Sequence, residues 1–202
     1  MAPTTLTMEH LGGVFCAFLM AHPRITLDLS LVDRSTNPAE AGFDLAISGR
    51  SAIYEGVLDV PLGPVQPILC AAPAYLQSRE GPAHPRDLAD HACLVFSPTG
   101  TNWAFESRRG ALSVEIRPRL QADDNRTLLR AALCGLGVAL LPRYIAGDAL
   151  DKGTLLQLLP AFAPQENWFK AYVPRRKLGV ARVKALLEFL QSDWIKWQNA
   201  PR

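Results

Sequence analysis

Apolar positions recur along the chain with two different periods, and the period changes from segment to segment. Leu11, Val14, Phe15, Phe18 and Leu19 fall at i, i+3, i+4, i+7 and i+8, the stripe of an amphipathic helix. Thr4, Thr5 and Thr7 precede it. A hydroxyl at a helix start can cap an orphan N–H, and Pro23 cannot continue the ladder at the other end. Gly12 and Gly13 each weaken a helix by about 1 kcal/mol relative to Ala, so they point to close approach of something, such as a partner helix. Ile25, Leu27, Leu29 and Leu31 then alternate with Thr26, Asp28 and Ser30, which predicts a strand with one wet face.

A turn-rich stretch at 33–42 leads to short strands at 43–47 and 57–62. Residues 67–72 form a continuous apolar run, consistent with a strand buried on both faces. Helical turns are expected at 73–77 and 85–91, and a strand at 93–96. Residues 103–105 and 111–116 flank Ser107-Arg108-Arg109-Gly110 as a hairpin would. Trp103 and Phe105 share one face of that strand, which suits core packing. Asp123-Asp124-Asn125 supplies cap residues for a helix at 126–134, and Gly135 stops it. Gly135-Leu136-Gly137 is a helix stop and tight turn. Short strands follow at 138–141, closed by Pro142, and at 168–173. Val180, Val183, Leu187, Leu190 and Trp194 lay one face of a last helix on a core. Strands alternating with helices throughout predict an α/β architecture with mostly parallel sheets.

Composition narrows the class. The chain has 202 residues, 49% of them hydrophobic and 20% charged, with a net charge of +2. That excludes disorder, collagen and coiled coil, and it leaves no basic signature for nucleic acid in these residues. At this length no disulfide or metal staple is needed. The charge is unevenly placed. Residues 1–100 hold 5 Lys or Arg against 10 Asp or Glu, and residues 101–202 hold 16 against 9. The basic residues are scattered, so two surfaces that complement each other within the fold or across a dimer explain this better than a nucleic-acid face.

The apolar run at 14–21 is too short for a membrane span and lacks a basic flank, so it reads as a folded helix rather than an export signal. Cys16, Cys70, Cys93 and Cys134 show no C-x-x-C spacing and each sits in an apolar stretch. Buried free thiols in a reducing cytoplasm are expected. His10, His22, His84 and His91 lack metal-ligand spacing. No nucleophile elbow, phosphate loop, zinc motif or dinucleotide fingerprint occurs. Arg175-Arg176-Lys177 reads as a solvated cluster. Two helix starts remain, one after the threonines and one after Asp124-Asn125. Their free N–H groups would suit a carboxylate or other small anion, or serve only as ordinary caps.

Several motifs occur together in a fixed order. They are Phe43-Asp44-Leu45-Ala46-Ile47, Leu69-Cys70-Ala71-Ala72-Pro73-Ala74-Tyr75-Leu76, and Asp87-Leu88-Ala89-Asp90-His91-Ala92-Cys93-Leu94. Trp103-x-Phe105, Asn125, the stretch 131–142 with Tyr144, and Tyr172-x-Pro174 follow. The set resembles the effector-binding (substrate-binding) domain of LysR-type transcriptional regulators over essentially the whole chain. The resemblance implies a two-lobed α/β fold of the type II periplasmic-binding-protein kind, two Rossmann-like lobes joined by two crossover strands. Lobe I would be 1–66 plus 169–202 and lobe II 67–168, with the runs 67–72 and 168–173 as the crossovers. A small-molecule effector would bind in the interlobe cleft, with no catalysis, cofactor or metal.

The implied effector contacts are Pro3, Thr4, Thr5 and Leu6, with Asp33, Ser48 and Gly49 on the lobe I side. The loop Ser97, Pro98, Thr99, Gly100, Thr101 and Asn102, then Asn125, Leu141 and Pro142, would complete them. The implied partners are a carboxylate or aromatic metabolite and a second copy of the chain, with tetramers in the full-length regulator. DNA would be bound only through an N-terminal winged helix-turn-helix, which these residues do not contain. The expected location is the bacterial cytoplasm. A transport-type solute-binding protein on the same fold is the alternative, and a two-lobed enzyme the remoter one.

Overall fold

The structure, a computed structural model, describes residues 1–107 and 110–199. The chain divides into two compact units, Met1–Val65 with Asn167–Arg202, and Gln66–Glu166. In chain order, unit 1 opens with α1 (Thr4–Leu6), a π-helical turn (Thr7–Leu11) and α2 (Gly12–Ala21). It continues with β1 (Ala46–Ser48) and β2 (Val57–Val65). Unit 2 holds β3 (Pro67–Ala71), α3 (Pro73–Ser78), β4 (Cys93–Phe96), β5 (Asn102–Ser107), β6 (Gly110–Glu115) and β7 (Pro118–Ala122). Then come α4 (Asn125–Leu133), β8 (Val138–Pro142), α5 (Arg143–Asp151), β9 (Leu156–Gln157) and β10 (Ala163–Pro164). The chain returns to unit 1 with β11 (Asn167–Pro174) and α6 (Ala181–Asn199).

Side-chain alternation explains why unit 2 is a three-layer body. Its five strands lie in the order β7-β4-β8-β3-β9. Ile68 and Cys70 of β3, Leu94 of β4, and Ala139 and Leu141 of β8 join one buried cluster with Leu128 and Ala132 of α4 and Ile145 and Ala146 of α5. Their neighbours Leu69 and Ala71, Cys93 and Val95, and Val138 join the other, under Tyr75 of α3. Successive strand residues point to opposite faces, and both faces are apolar because both are covered. The hairpin β5–β6 covers the second face with Trp103 and Phe105, which are buried as core residues. Arg108 and Arg109, which the sequence places in the hairpin loop, lie outside the described residues. Helix α5 has no counterpart in the sequence reading, because Gly147 and Asp148 interrupt its short buried stripe.

The expectation of mostly parallel sheets is corrected. Among the described residues only β4–β7 and β4–β8 pair in parallel. The remaining named ladders are antiparallel, including both partners of β11. Parallel strands of one sheet need a crossover connection, and α4 supplies the one from β7 to β8, on either side of β4. In unit 1 the expected strand at 25–31 forms only an isolated parallel bridge, Ala2 to Leu31, and the expected strand at 43–47 shrinks to β1. The reason lies in what is available to pair. Ala2 N–H donates to Ser30 O at 3.0 Å and Ile47 N–H to Met1 O at 2.9 Å, so Met1 and Ala2 bridge the two segments. Alongside them a cavity of about 430 Å³ is lined by residues that include Phe15, Phe18, Leu27, Leu45, Val183 and Leu186.

Two further expectations change. Cys70 and Cys93 are buried, and burial pushes each thiol up to about 12. Cys16 and Cys134 are exposed, because Cys16 lies on the opposite side of α2 from buried Val14, Phe15 and Phe18. The close approach at Gly12 comes from its own helix. A Cβ there would stand 3.0 Å from the Thr7 carbonyl, to which Gly12 N–H donates across the π turn, whereas Gly13 faces open space. No helix among the described residues is long and apolar enough to cross a membrane.

The charge asymmetry is used inside unit 1. Asp44 pairs with Lys177 at 2.6 Å and with Arg182 at 3.1 Å, and Asp59 pairs with Lys170 at 2.6 Å. In each case an acid of the first half meets a base of the second. Hydrogen bonding from Lys177 holds the Asp44 carboxyl below its ordinary 3.8. A depressed carboxyl stabilises the fold above its unfolded value and loses that contribution as pH falls through the lower folded value. Since all three side chains are part-exposed, the gain is about 0.5–1 kcal/mol. Asp44→Asn is expected to cost that amount in urea denaturation at pH 7, and the difference from the parent should shrink as pH falls through the lowered folded value of the Asp44 carboxyl.

Candidate functional site

The expected site residues fall into two sets, one in each unit, and each set is positioned by its own unit's secondary structure. In unit 2 the parallel pairing decides the placement. Phe96 at the end of β4 pairs with Ala122 at the end of β7, and β8 runs alongside β4 in the same direction. The carboxyl ends of three strands therefore point the same way, and the chain leaves them as the 97–102 loop, the start of α4, and Leu141-Pro142. Open α/β sheets place ligands outside such carboxyl ends.

The 97–102 loop is held tightly by its own side chains. A 3-10 turn, Ser97–Thr99, ends at Gly100, whose φ of 76° a side chain would resist. The Thr99 hydroxyl donates to Phe96 O at 3.0 Å, and the Thr101 hydroxyl to Glu115 Oε1 at 2.6 Å. The Asn102 side chain accepts from the Ser113 hydroxyl. Glu115 and Ser113 are thus supports that loop composition alone does not reveal. Leu141 belongs to the sheet core, while Pro142 is half-buried and serves as N-cap of α5.

Asn125 occupies the first turn of α4, but it does not cap the helix. Asp124 does, accepting from Arg126 N–H at 3.3 Å, Thr127 N–H at 2.8 Å and the Thr127 hydroxyl at 2.8 Å. Asn125 is only 6% exposed, and its side-chain carbonyl Oδ1 is buried with no hydrogen-bond partner among the described residues. Buried polar atoms are nearly always paired, so this acceptor marks a place where something else belongs.

In unit 1 the helix start is likewise filled from within. Pro3 is the N-cap of α1 and offers no side-chain hydrogen bond. Thr4 N–H instead donates to Asp33 Oδ1 at 2.9 Å, a carboxylate brought in from 29 residues away. Thr7, expected among the capping hydroxyls, donates to Pro3 O at 2.7 Å, within the first turn. Thr5 and Leu6 are buried. The negative charge expected at both helix N-termini is thus present, but it comes from Asp33 and Asp124 of the chain itself.

Ser48 is the last residue of β1, and Gly49 follows it. Ser48 Oγ accepts from Arg50 N–H at 3.1 Å. The Tyr172 hydroxyl donates to Arg50 O at 2.7 Å and accepts from Ala52 N–H at 3.2 Å, which pins the segment to β11. Burial raises the Tyr172 hydroxyl above its ordinary value, so it stays protonated as that donor. A Cβ on Gly49 would come within 2.8 Å of the Phe169 ring, which is why the position is glycine. The π turn carries a feature that sequence pattern does not show. His10 stacks on Trp197 at 4.0 Å between ring centroids, and its Nε2 lies 2.8 Å from Asp193 Oδ2 without aligning as a hydrogen bond. No group of three or more potential metal ligands occurs among the described residues.

Comparison with known proteins assigns a family. The model of the LysR substrate binding domain matches residues 1–194. The HTH-type transcriptional regulator YhjC of Escherichia coli is 32% identical over 177 residues, 86% of this chain and 59% of that protein. The probable HTH-type transcriptional regulator LtrA of Klebsiella pneumoniae is 32% identical over 71% of this chain and 47% of its own length. The chain therefore spans about half to three-fifths of these relatives. Among solved structures, the full-length virulence activator AphB of Vibrio cholerae superposes with a TM-score of 0.80 at 25% identity, over 95% of this chain and 66% of that one. The regulatory domain of CrgA from Neisseria meningitidis gives 0.81 at 23% identity, over 96% of each chain.

The neighbouring residues Asp124 and Asn125 should respond to truncation in opposite ways. Asp124→Ala removes a cap and is expected to cost about 0.5–2 kcal/mol in urea denaturation. Asn125→Ala removes a buried acceptor that is already unpaired, whose burial costs about 1–3 kcal/mol, so stability should stay level or rise. A loss of more than about 1 kcal/mol at Asn125 would show that its carbonyl is satisfied in the ligand-free protein.

Proposed function

The chain belongs to the LysR substrate binding domain family, and on that premise we propose that it is the effector-sensing part of a bacterial transcription regulator. It binds a small molecule and does no chemistry on it. The observation that carries this reading is the buried, unpartnered carbonyl of Asn125, at the edge of the sheet where three strand ends open. Thr4, Thr5, Asp33, Ser48 and Gly49 in unit 1, and the 97–102 loop with Pro142 in unit 2, are the proposed contacts around the effector.

Effector binding regulates by shifting the population between arrangements of the chain, and it does so only by as much as its affinity differs between them. DNA is bound by a separate winged helix-turn-helix domain of the whole regulator, in the cytoplasm. The sensing domains pair as homodimers and assemble to tetramers in the full-length regulator. Exposed Gly13, Cys16, Ala17 and Met20 give α2 an outward face of small and apolar residues suited to such pairing.

A thermal-shift screen of metabolites tests the sensing role. Hits are expected to bind about three- to tenfold more weakly in Thr5→Ala and in Asn125→Ala, the loss of one neutral hydrogen bond each. Hits that ignore both substitutions place the site elsewhere. Light scattering tests pairing. A dimer is expected at tens of micromolar, and Ala17→Glu should convert it to monomer, whereas a parent that is monomeric there overturns the dimer.

A further inference from the structure

We propose that His91 is an acid-released latch in unit 2: neutral, it fastens the start of β4 through Tyr75, and protonation undoes the fastening. The inference is independent of the effector reading and uses none of the proposed effector contacts.

Tyr75 of α3 is only 6% exposed, so its hydroxyl needs partners. It accepts from Ala92 N–H at 3.1 Å and lies 3.0 Å from His91 Nδ1. An amide N–H can only donate. The phenol proton therefore goes to Nδ1, the one acceptor it meets among the described residues. Nδ1 then carries a lone pair, and the ring proton sits on Nε2. A second proton on Nδ1 would set donor against donor and leave the buried hydroxyl without its acceptor.

This pair holds the entry of β4. Ala92, the residue before the strand, gives its N–H to Tyr75, and its carbonyl accepts from Val138 N–H at 2.8 Å. Gly137 lies so close that a Cβ there would run into Ala92 O. Cys93 then pairs with Val138 in the parallel ladder, so β4 and β8 come together at this point. From there β4 runs to Phe96, where the 97–102 loop begins.

The surroundings favour the neutral ring. His91 is half-buried after a 3-10 turn, Pro85–Asp90. Burial holds it below its ordinary 6.5 and the Arg79 guanidinium adds to that, while Asp87 and Asp90 pull the other way. Arg79 stays beside the turn by donating to Asp90 O at 2.7 Å. A histidine lowered in this sense stabilises the fold fully above its unfolded value, and the contribution is lost as pH falls from there through the folded value.

NMR titration and amide exchange test the latch. His91 is expected to titrate below 6.5, from an Nε2–H tautomer. Exchange protection at Ala92 and Val138, corrected for the intrinsic rate, is expected to fall about three- to tenfold between about pH 7.5 and about pH 5, the loss of one neutral hydrogen bond. His91→Asn keeps an acceptor near the Nδ1 position and takes up no proton, so its protection should stay level over that range. Tyr75→Phe should show the low protection at both ends of it. A parent His91 that titrates at or above 6.5, or that carries its neutral proton on Nδ1, overturns the latch. An equal fall in His91→Asn also overturns it, by assigning the acid response to another group.

Discussion

Parallel pairing of β4 with β7 and β8 is the constraint on which the unit 2 site depends. β7 and β8 flank β4 and both run parallel to it, and α4 carries the chain from one to the other across that central strand. That arrangement forces the first turn of α4, the exit of β4 and the exit of β8 to one edge of the sheet. The residues concerned, 97–102, Asn125 and Leu141-Pro142, lie in three separate stretches of the sequence. The burial of both sheet faces follows from the same layout, with α4 and α5 on one side and the β5–β6 hairpin on the other. A rigid sheet then presents an edge of loops that are themselves tied down by Glu115, Ser113 and Asp124.

Electrostatics at the helix starts gives the site its character. A helix N-terminus attracts negative charge, and in both units the chain supplies that charge from its own carboxylates. In unit 2, Asn125 Oδ1 stays buried beside that helix start with no hydrogen-bond partner among the described residues. The thiols Cys70 and Cys93, pushed up to about 12 by burial, take no part and act as small core residues.

The chain's own pattern made much of this legible. The stripe on α2, the apolar run of β3, the hairpin with Trp103 and Phe105, the stop at Gly135 and the face of α6 were all visible as periodicity or punctuation. Asn125 stood out as part of a run of cap residues, but the same pattern placed it at the cap itself. Only three-dimensional placement showed that Asp124 caps and that Asn125 turns an unsatisfied carbonyl into the interior. The strand expected at 25–31 had the right alternation, yet alternation describes a face and not a partner, and its ladder reaches only Leu31.

By itself, then, the sequence determined element types, the alternation that buries both faces of the unit 2 sheet, and, through an ordered set of motifs, the family. Those properties are local, set by side chains a few residues apart. Tertiary structure decided which strands pair and in which direction, that Asp33 would reach Thr4 across 29 residues, and that Lys177 and Arg182 would meet Asp44. Hydrogen bonds and ion pairs between distant segments depend on where the fold brings them, and no period along the chain encodes that distance.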